Sequence, residues 1–263
     1  MGRKEKENQV EQEEKRGTDY STYDMSMIEW ILYAGMAAAV LFLVGYIFYQ
    51  KVIVSALFAL FAVKYPKMKK KQIIEARQKK LSLQFKDMLY SLSSAVGAGN
   101  SVESAVSVAL EDMKQQYNDP KVFIIQELEL MRVRLQMNRT IEEVFNDFAE
   151  RSHIEDVQTF ANIFQIAKRT GGNLIDIIRN TTQIIADKIE ISQEIDTMLS
   201  GQQMEQKVLT VMPFALVLFL TKSSGDFMKP IFTTPIGFVI ATVSLVVILV
   251  ANIWSKKIAS IKI

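Results

Sequence analysis

The sequence predicts an all-α membrane protein: a cytoplasmic antiparallel bundle of about six helices, flanked by two pairs of transmembrane helices. Three observations predict it. A polar stretch over 66–207 lies between two apolar blocks of membrane length, 28–63 and 208–254, the second broken near 222–235. Inside the polar stretch apolar residues recur at helical spacing, and no alternation of period two lasts long enough for a strand. Cations gather beside the first apolar block, whereas the centre of the chain is acidic.

The first 26 residues carry Glu5, Glu7, Glu11, Glu13 and Glu14 among basic residues. Such composition predicts a disordered cytoplasmic tail. No A-x-A cleavage pattern follows the first apolar run, which argues against a removed signal. The next segment, 27–65, is expected to form a transmembrane hairpin. Met27 to Tyr49 is apolar apart from Glu29 near one end, and 23 residues at about 1.5 Å each cross a hydrocarbon core of about 30 Å. Gln50 and Lys51 then turn the chain into Val52–Val63, short for a span, which needs Lys51 and Lys64 as snorkelling ends or a tilted neighbour. One long helix over 28–63 with a membrane-lying end is the alternative to the hairpin.

A collar of cations follows: Lys64, Lys67, Lys69, Lys70, Lys71, Arg77, Lys79 and Lys80, against Glu75 alone. Cations beside an apolar segment attract anionic lipid headgroups, at about 1 kcal/mol per residue. Between Leu81 and Lys207 the balance reverses, with 12 Lys and Arg against 19 Asp and Glu. An acidic domain argues against nucleic acid as a partner, because phosphates need a basic face.

The 66–207 domain is predicted as six helices, at 73–96, 101–116, 120–137, 140–151, 154–170 and 173–200, arranged as a weak repeat of helix pairs. Leu81, Phe85, Met88, Leu92 and Ala95 form one buried face, and Ile124, Leu128, Met131 and Leu135 another. Ser101, Thr140 and Asn173 are placed to cap helices, each followed within a turn by a carboxylate. Gly97 and Gly99, and later Gly171 and Gly172, are expected to stop the preceding helices, since a left-handed residue after a helix favours glycine. The last helix should run on toward the third span, with Gly201 as a break and Pro213 as a kink within the span. A second hairpin over 208–254 is expected to turn through the hydrophilic Lys222–Asp226, and 255–263 to return to the cytoplasm.

Lys and Arg divide unevenly: 28 lie in the termini, collar and domain, and only Lys51, Lys222 and Lys229 in the connecting loops. The positive-inside rule then places both termini and the domain in the cytoplasm, which requires four spans.

The chain has no Cys and one His, His153. Disulfides, thiolate chemistry and multi-histidine metal sites are thereby excluded, and no cofactor is expected. Gly97-Ala98-Gly99-Asn100-Ser101 lacks the third glycine of a dinucleotide loop and follows a helix. Thr170-Gly171-Gly172-Asn173 lacks the Lys-Ser/Thr ending of a P-loop. His153 with Asp156 reads better as a helix boundary than as a metal pair. Glu142, Glu143, Asp147 and Glu150 fall broadly on one helix side opposite Ile141, Val144, Phe145 and Phe148. That side reads as a solvated surface first, and as a partner-docking surface or weak cation site second; Glu127 and Glu129 are a sparser version. No Asp, Glu, Arg or His sits in mid-span, so an ion pathway has no support.

Three landmarks carry a family resemblance: Gly97 to Ala105 (GAGNSVESA), Leu135 to Val144 (LQMNRTIEEV) and Lys168 to Leu174 (KRTGGNL), in that order and 35–40 residues apart. With the flanking spans they resemble the type II secretion F-domain family, in its Tad (tight adherence), TadB/TadC-like branch. The resemblance implies a non-enzymatic platform that couples a cytoplasmic hexameric ATPase to the assembly of prepilin subunits. Larger relatives carry two F domains, so a second F-domain protein or a second copy of this chain should complete the platform. A membrane-anchored helical signalling receptor and a lipid-acting enzyme are competing readings; the outside loops are small for a ligand, and no nucleophile–base pair is present.

Overall fold

Helix formers and caps give helical backbone throughout. The computed structural model describes residues 17–170, 173–223 and 225–259, and all regular structure among them is helical. In chain order these are α1 (Met27–Tyr49), α2 (Val52–Leu60), a single 3-10 turn (Phe61–Lys64), α3 (Tyr65–Gly97), α4 (Val102–Tyr117), α5 (Phe123–Gln136), α6 (Ile141–Ser152), α7 (Glu155–Thr170), α8 (Leu174–Ser223), α9 (Gly225–Thr233) and α10 (Pro235–Ala259). The chain divides into two compact units. One is the bundle, formed by the described residues to Asp24 with Gln72–Ile191; the other holds Met25–Lys71 and the described residues from Ser192 onward. The bundle is thus tighter than the 66–207 expected from polarity.

Within the bundle, α3 supplies one buried face, with Leu81, Phe85, Met88, Leu89 and Leu92 all inside, and successive helices α4 to α7 pack on one another. Five phenylalanines meet within the core. Phe145 meets Phe164 edge-on at 5.1 Å and Phe160 at 5.3 Å, while Phe85 lies 5.9 Å from Phe160 and 6.0 Å from Phe148. Aromatic pairs in such arrangements add about 0.5–1.5 kcal/mol beyond the area they bury.

The predicted caps are present. Ser101 Oγ accepts from the Ser104 N–H at 3.2 Å, and Asn173 Oδ1 from the Ile175 N–H at 3.2 Å. Thr140 and Glu143 form a reciprocal capping box. Each satisfies N–H groups with no partner inside the helix. Asp119 accepts from the Lys121 N–H at 2.9 Å in a turn that includes Pro120, which moves the start of α5 on to Phe123.

The glycine expectation holds at one position. Gly99 has φ +94°, whereas Gly97 is the last residue of α3 itself. Elsewhere the left-handed residue after a helix is Gln50, Asn118, Asn138 or His153, with φ between 48° and 62°. Gly171 and Gly172 lie outside the described residues. The lysine collar is helical too, because α3 starts at Tyr65; Pro66 falls in its first turn, where a missing N–H breaks no bond.

In the second unit α1 and α2 form the expected hairpin, turned by Gln50. Gly45 permits close approach, since a Cβ there would lie 2.9 Å from the Ser55 Cα. Phe48 contacts Phe214 of α8 edge-on at 5.8 Å, and the Tyr49 hydroxyl is 2.8 Å from Thr242 Oγ1 of α10. Among the described residues, three helices are long and apolar enough to cross a membrane: α1, α8 through its apolar portion, and α10. The nine residues of α2 do not reach that length alone.

The break expected at Gly201 and the turn expected over Lys222–Asp226 differ from the structure. α8 is continuous for 50 residues through both Gly201 and Pro213, so Gly201 makes no break, and Pro213 lies inside the helix where it leaves the Leu209 carbonyl without its helical N–H donor. The turn expected over Lys222–Asp226 is largely helical, with α8 reaching Ser223 and α9 beginning at Gly225.

Candidate functional site

The predicted acidic side of α6 is a set of internal contacts. Glu142 accepts from Lys168 Nζ of α7 at 2.8 Å. Partial burial opposes ionisation of Glu142, but the Lys168 hydrogen bond, with support from Arg169, outweighs it and holds the carboxyl below its ordinary value. Glu143 closes the capping box with Thr140 and lies 3.6 Å from Arg139. Asp147 pairs with Arg134 of α5 and accepts from Arg151 Nε at 2.7 Å. Glu150 is exposed. Three of the four acids therefore bind this chain's own cations. Among the described residues no group of three or more metal-ligating side chains is arranged to hold an ion.

The carboxylate that composition hid is Glu127, only 2% exposed. Arg151 grips it in a fork, with Nη1 2.8 Å from Oε1 and Nη2 2.6 Å from Oε2. Burial penalises the Arg151 cation, yet Glu127 and then Asp147 outweigh this and raise its pKa. Sequence spacing carries a signal of this pair. Glu127 falls at i+3 from Ile124, on the face of Leu128 and Met131, and Arg151 is at i+3 from Phe148. Charged residues at core-facing positions are buried and paired, or neutral.

A third member comes from the segment expected to be a disordered tail. Tyr20 is fully buried, its ring edge-on to Phe123 at 5.6 Å, and its hydroxyl donates to Glu127 Oε1 at 3.0 Å. Burial, and then the neighbouring carboxylate, push the phenol's pKa well above its ordinary value. The tail expectation fails for residues 17–24, which belong to the bundle; residues 1–16 lie outside the described part. The signal was Tyr20 and Tyr23, two aromatics at the end of an otherwise charged stretch.

His153 ends α6 in a left-handed conformation, with Nε2 3.5 Å from Asp19. Asp156 instead accepts from Lys188 of α8 at 2.7 Å, so the two do not form a metal pair.

Fold and contacts together define an all-α membrane protein in which a polar bundle, stitched by internal ion pairs, shares a chain with membrane-length helices. The family model for the Type II secretion system (T2SS), protein F, matches residues 88–222, just over half of the chain, and the protein belongs to that family. The matched part runs from the middle of α3 almost to the end of α8. Domains of this family are found in secretion and pilus-assembly platform proteins, which are structural and not enzymatic. No curated protein and no solved structure matches the chain.

Proposed function

We propose that this chain is the inner-membrane platform of a Tad-like pilus-assembly or type II secretion machine, coupling a cytoplasmic ATPase to the assembly or export of pilin subunits. The observation that carries the proposal is α8. Its first turns bury Ile178, Ile185 and Ile189 in the bundle, and the same unbroken helix becomes a membrane-length apolar segment inside the family match. A helix without a joint transmits displacement along its axis, so work done on the bundle reaches the membrane without loss in a flexible linker. A second F-domain protein or a second copy of this chain completes the platform.

In this reading both termini and the bundle are cytoplasmic, as the distribution of Lys and Arg requires. α2 makes the second crossing by continuing through the 3-10 turn toward Tyr65, with the lysines at the start of α3 placed for anionic headgroups. Glu150 reaches a partner directly. Docking at Glu142, Glu143 or Asp147 exchanges a pair inside the bundle for one with the ATPase.

The test uses the full chain in phospholipid nanodiscs together with a secretion ATPase from the same organism. Binding, with faster ATP hydrolysis, is expected, as is loss of filaments or exported protein in cells lacking the chain. If those cells assemble and export normally, the platform reading is wrong. Reporter fusions at Asp226 and at the C-terminus check the topology; an intracellular signal at Asp226 sinks the four-span arrangement.

A further inference from the structure

Residues 17–24 sit in a receptor built for them by three helices. Gly17 has φ +83°, which favours glycine, and a Cβ there would lie 2.6 Å from Arg151 Cζ and 2.7 Å from Leu130 Cδ2, so a larger residue would displace those side-chain ends. Arg151 Nη1 donates to the Thr18 carbonyl at 3.1 Å, and the Tyr20 N–H donates to the Arg151 carbonyl at 2.9 Å. Tyr20 fills the pocket between Phe123 and Glu127. Arg77 of α3 donates to the Thr22 carbonyl at 3.4 Å, and its guanidinium lies 5.3 Å from the Tyr23 ring. Main chain and side chains of the segment are both recognised, and Arg151 is shared between this contact and the Glu127 pair.

The segment's place in the chain gives the contact a consequence. Only Met25 and Ser26 separate Asp24 from the first residue of α1. The chain passes between its two units at three places, after Asp24, Lys71 and Ile191. Helices α3 and α8 run through the second and third of these places. At the first there is no helix, and the docked segment takes its part. We propose that Gly17–Asp24 is a strap that ties the first membrane helix to the bundle, so that displacement of the bundle is passed to α1 as well as along α3 and α8. The strap's role in coupling rests on the platform reading above.

Two changes to the full chain separate tying from mere stabilisation. The first inserts about eight Gly/Ser residues after Met25, a slack of roughly 16 Å that leaves every strap contact in place. The second is Tyr20→Ala, which empties the pocket. Docking is read from a spin label at Thr18→Cys, an exposed position in a chain with no native Cys. Coupling is read as the filament or export output of cells carrying each variant at equal membrane levels.

The label is expected to be immobilised in the otherwise unchanged chain and in the insertion variant, and mobile on the nanosecond scale after Tyr20→Ala. Output is expected to fall at least tenfold in both variants. A mobile label in the unchanged chain overturns docking. Normal output from the insertion variant, with its label immobilised, overturns the tie and leaves the segment as a stabiliser of the bundle. If Tyr20→Ala fails to reach the membrane, the insertion alone decides. Loss of the platform reading looks different, because output then survives removal of the whole chain.

Discussion

The bundle and the membrane unit are made of the same secondary structure and are held together by different things. In the bundle the large apolar residues are inside: Phe85, Phe148 and Phe164 are at most 1% exposed. In the membrane unit many of them face outward, as with Phe219 at 67% and Ile236 at 74%, although Phe48 is buried. Water drives the first arrangement, since burying an apolar side chain stabilises by about 1.5–3 kcal/mol. Lipid gives no such drive between helices, so contacts there depend on close approach and polar pairs. Gly45 against Ser55, the Tyr49–Thr242 hydrogen bond, and Asn252 Nδ2 donating to Thr210 Oγ1 at 3.1 Å are contacts of that kind. The same residue type therefore carries opposite weight in the two regions.

Phenylalanine gives the largest separation. Phe160→Ala removes the ring that touches Phe85, Phe145 and Phe164 and is expected to destabilise the bundle by about 3–5 kcal/mol. Phe219→Ala on the apolar part of α8 should change stability by less than about 0.5 kcal/mol. Thermal unfolding of the full chain in nanodiscs, followed by circular dichroism, compares them. Similar losses would mean that the exposed face of α8 is covered by protein. Glu127→Ala comes next, at about 3 kcal/mol, because it leaves the Arg151 cation short of its buried partner. Replacing both Glu127 and Arg151 by Met should recover part of that loss, whereas additive losses would show that the two side chains do not act as a pair.

Much of this division was legible in the sequence, because periodicity and apolar length are properties of the chain alone. The helices of the bundle fall within a few residues of their expected ends wherever a cap marks them, as at Ser101 and Thr140. Where expectation and structure part, a long-range contact or a permissive residue decides. Tyr20 is buried by residues more than 100 positions away, which no local pattern records. Gly201 was a reason to expect a break, yet glycine in a helix only lowers stability and is outweighed by the helix formers around it. The acids at 142, 143 and 147 were legible as one helix side, but their partners, Lys168, Arg139, and Arg134 with Arg151, come from α7, the turn before α6, α5 and the end of α6. Spacing identifies a face; it does not identify what the face meets.

Close approach is the test on the membrane side. Gly45→Val places its first added carbon 2.9 Å from the Ser55 Cα and 3.3 Å from Phe58 Cδ2, so α1 and α2 must separate. A loss of about 1–3 kcal/mol is expected, read as a lower melting temperature of the full chain in nanodiscs. Gly35→Val, where nothing lies within 4 Å of the added Cβ, is the control. If the two variants melt alike, the hairpin does not depend on this contact.

The smallest effect belongs to the bundle's surface, at Glu142. Its folded pKa lies below the ordinary value of 4.5, and Lys168 is the main cause of the lowering. A depressed carboxyl contributes stability that is fully present above its unfolded pKa and is lost as pH falls through the folded value. The pair is partly exposed, with side chains 37% and 23% accessible for Lys168 and Glu142. Solvent screening therefore limits its contribution to roughly 0.2–1 kcal/mol. Glu142→Gln should melt slightly lower than the unchanged chain at pH 7, with the gap closing as pH is taken below 4.5. It should also narrow in high salt, which screens exposed charges. Glu127→Gln should keep its gap in salt, because the buried pair is screened far less. If the Glu142 gap matches that of Glu127 in both size and salt response, surface and interior carboxylates of α5 and α6 are equivalent, and the distinction between them fails.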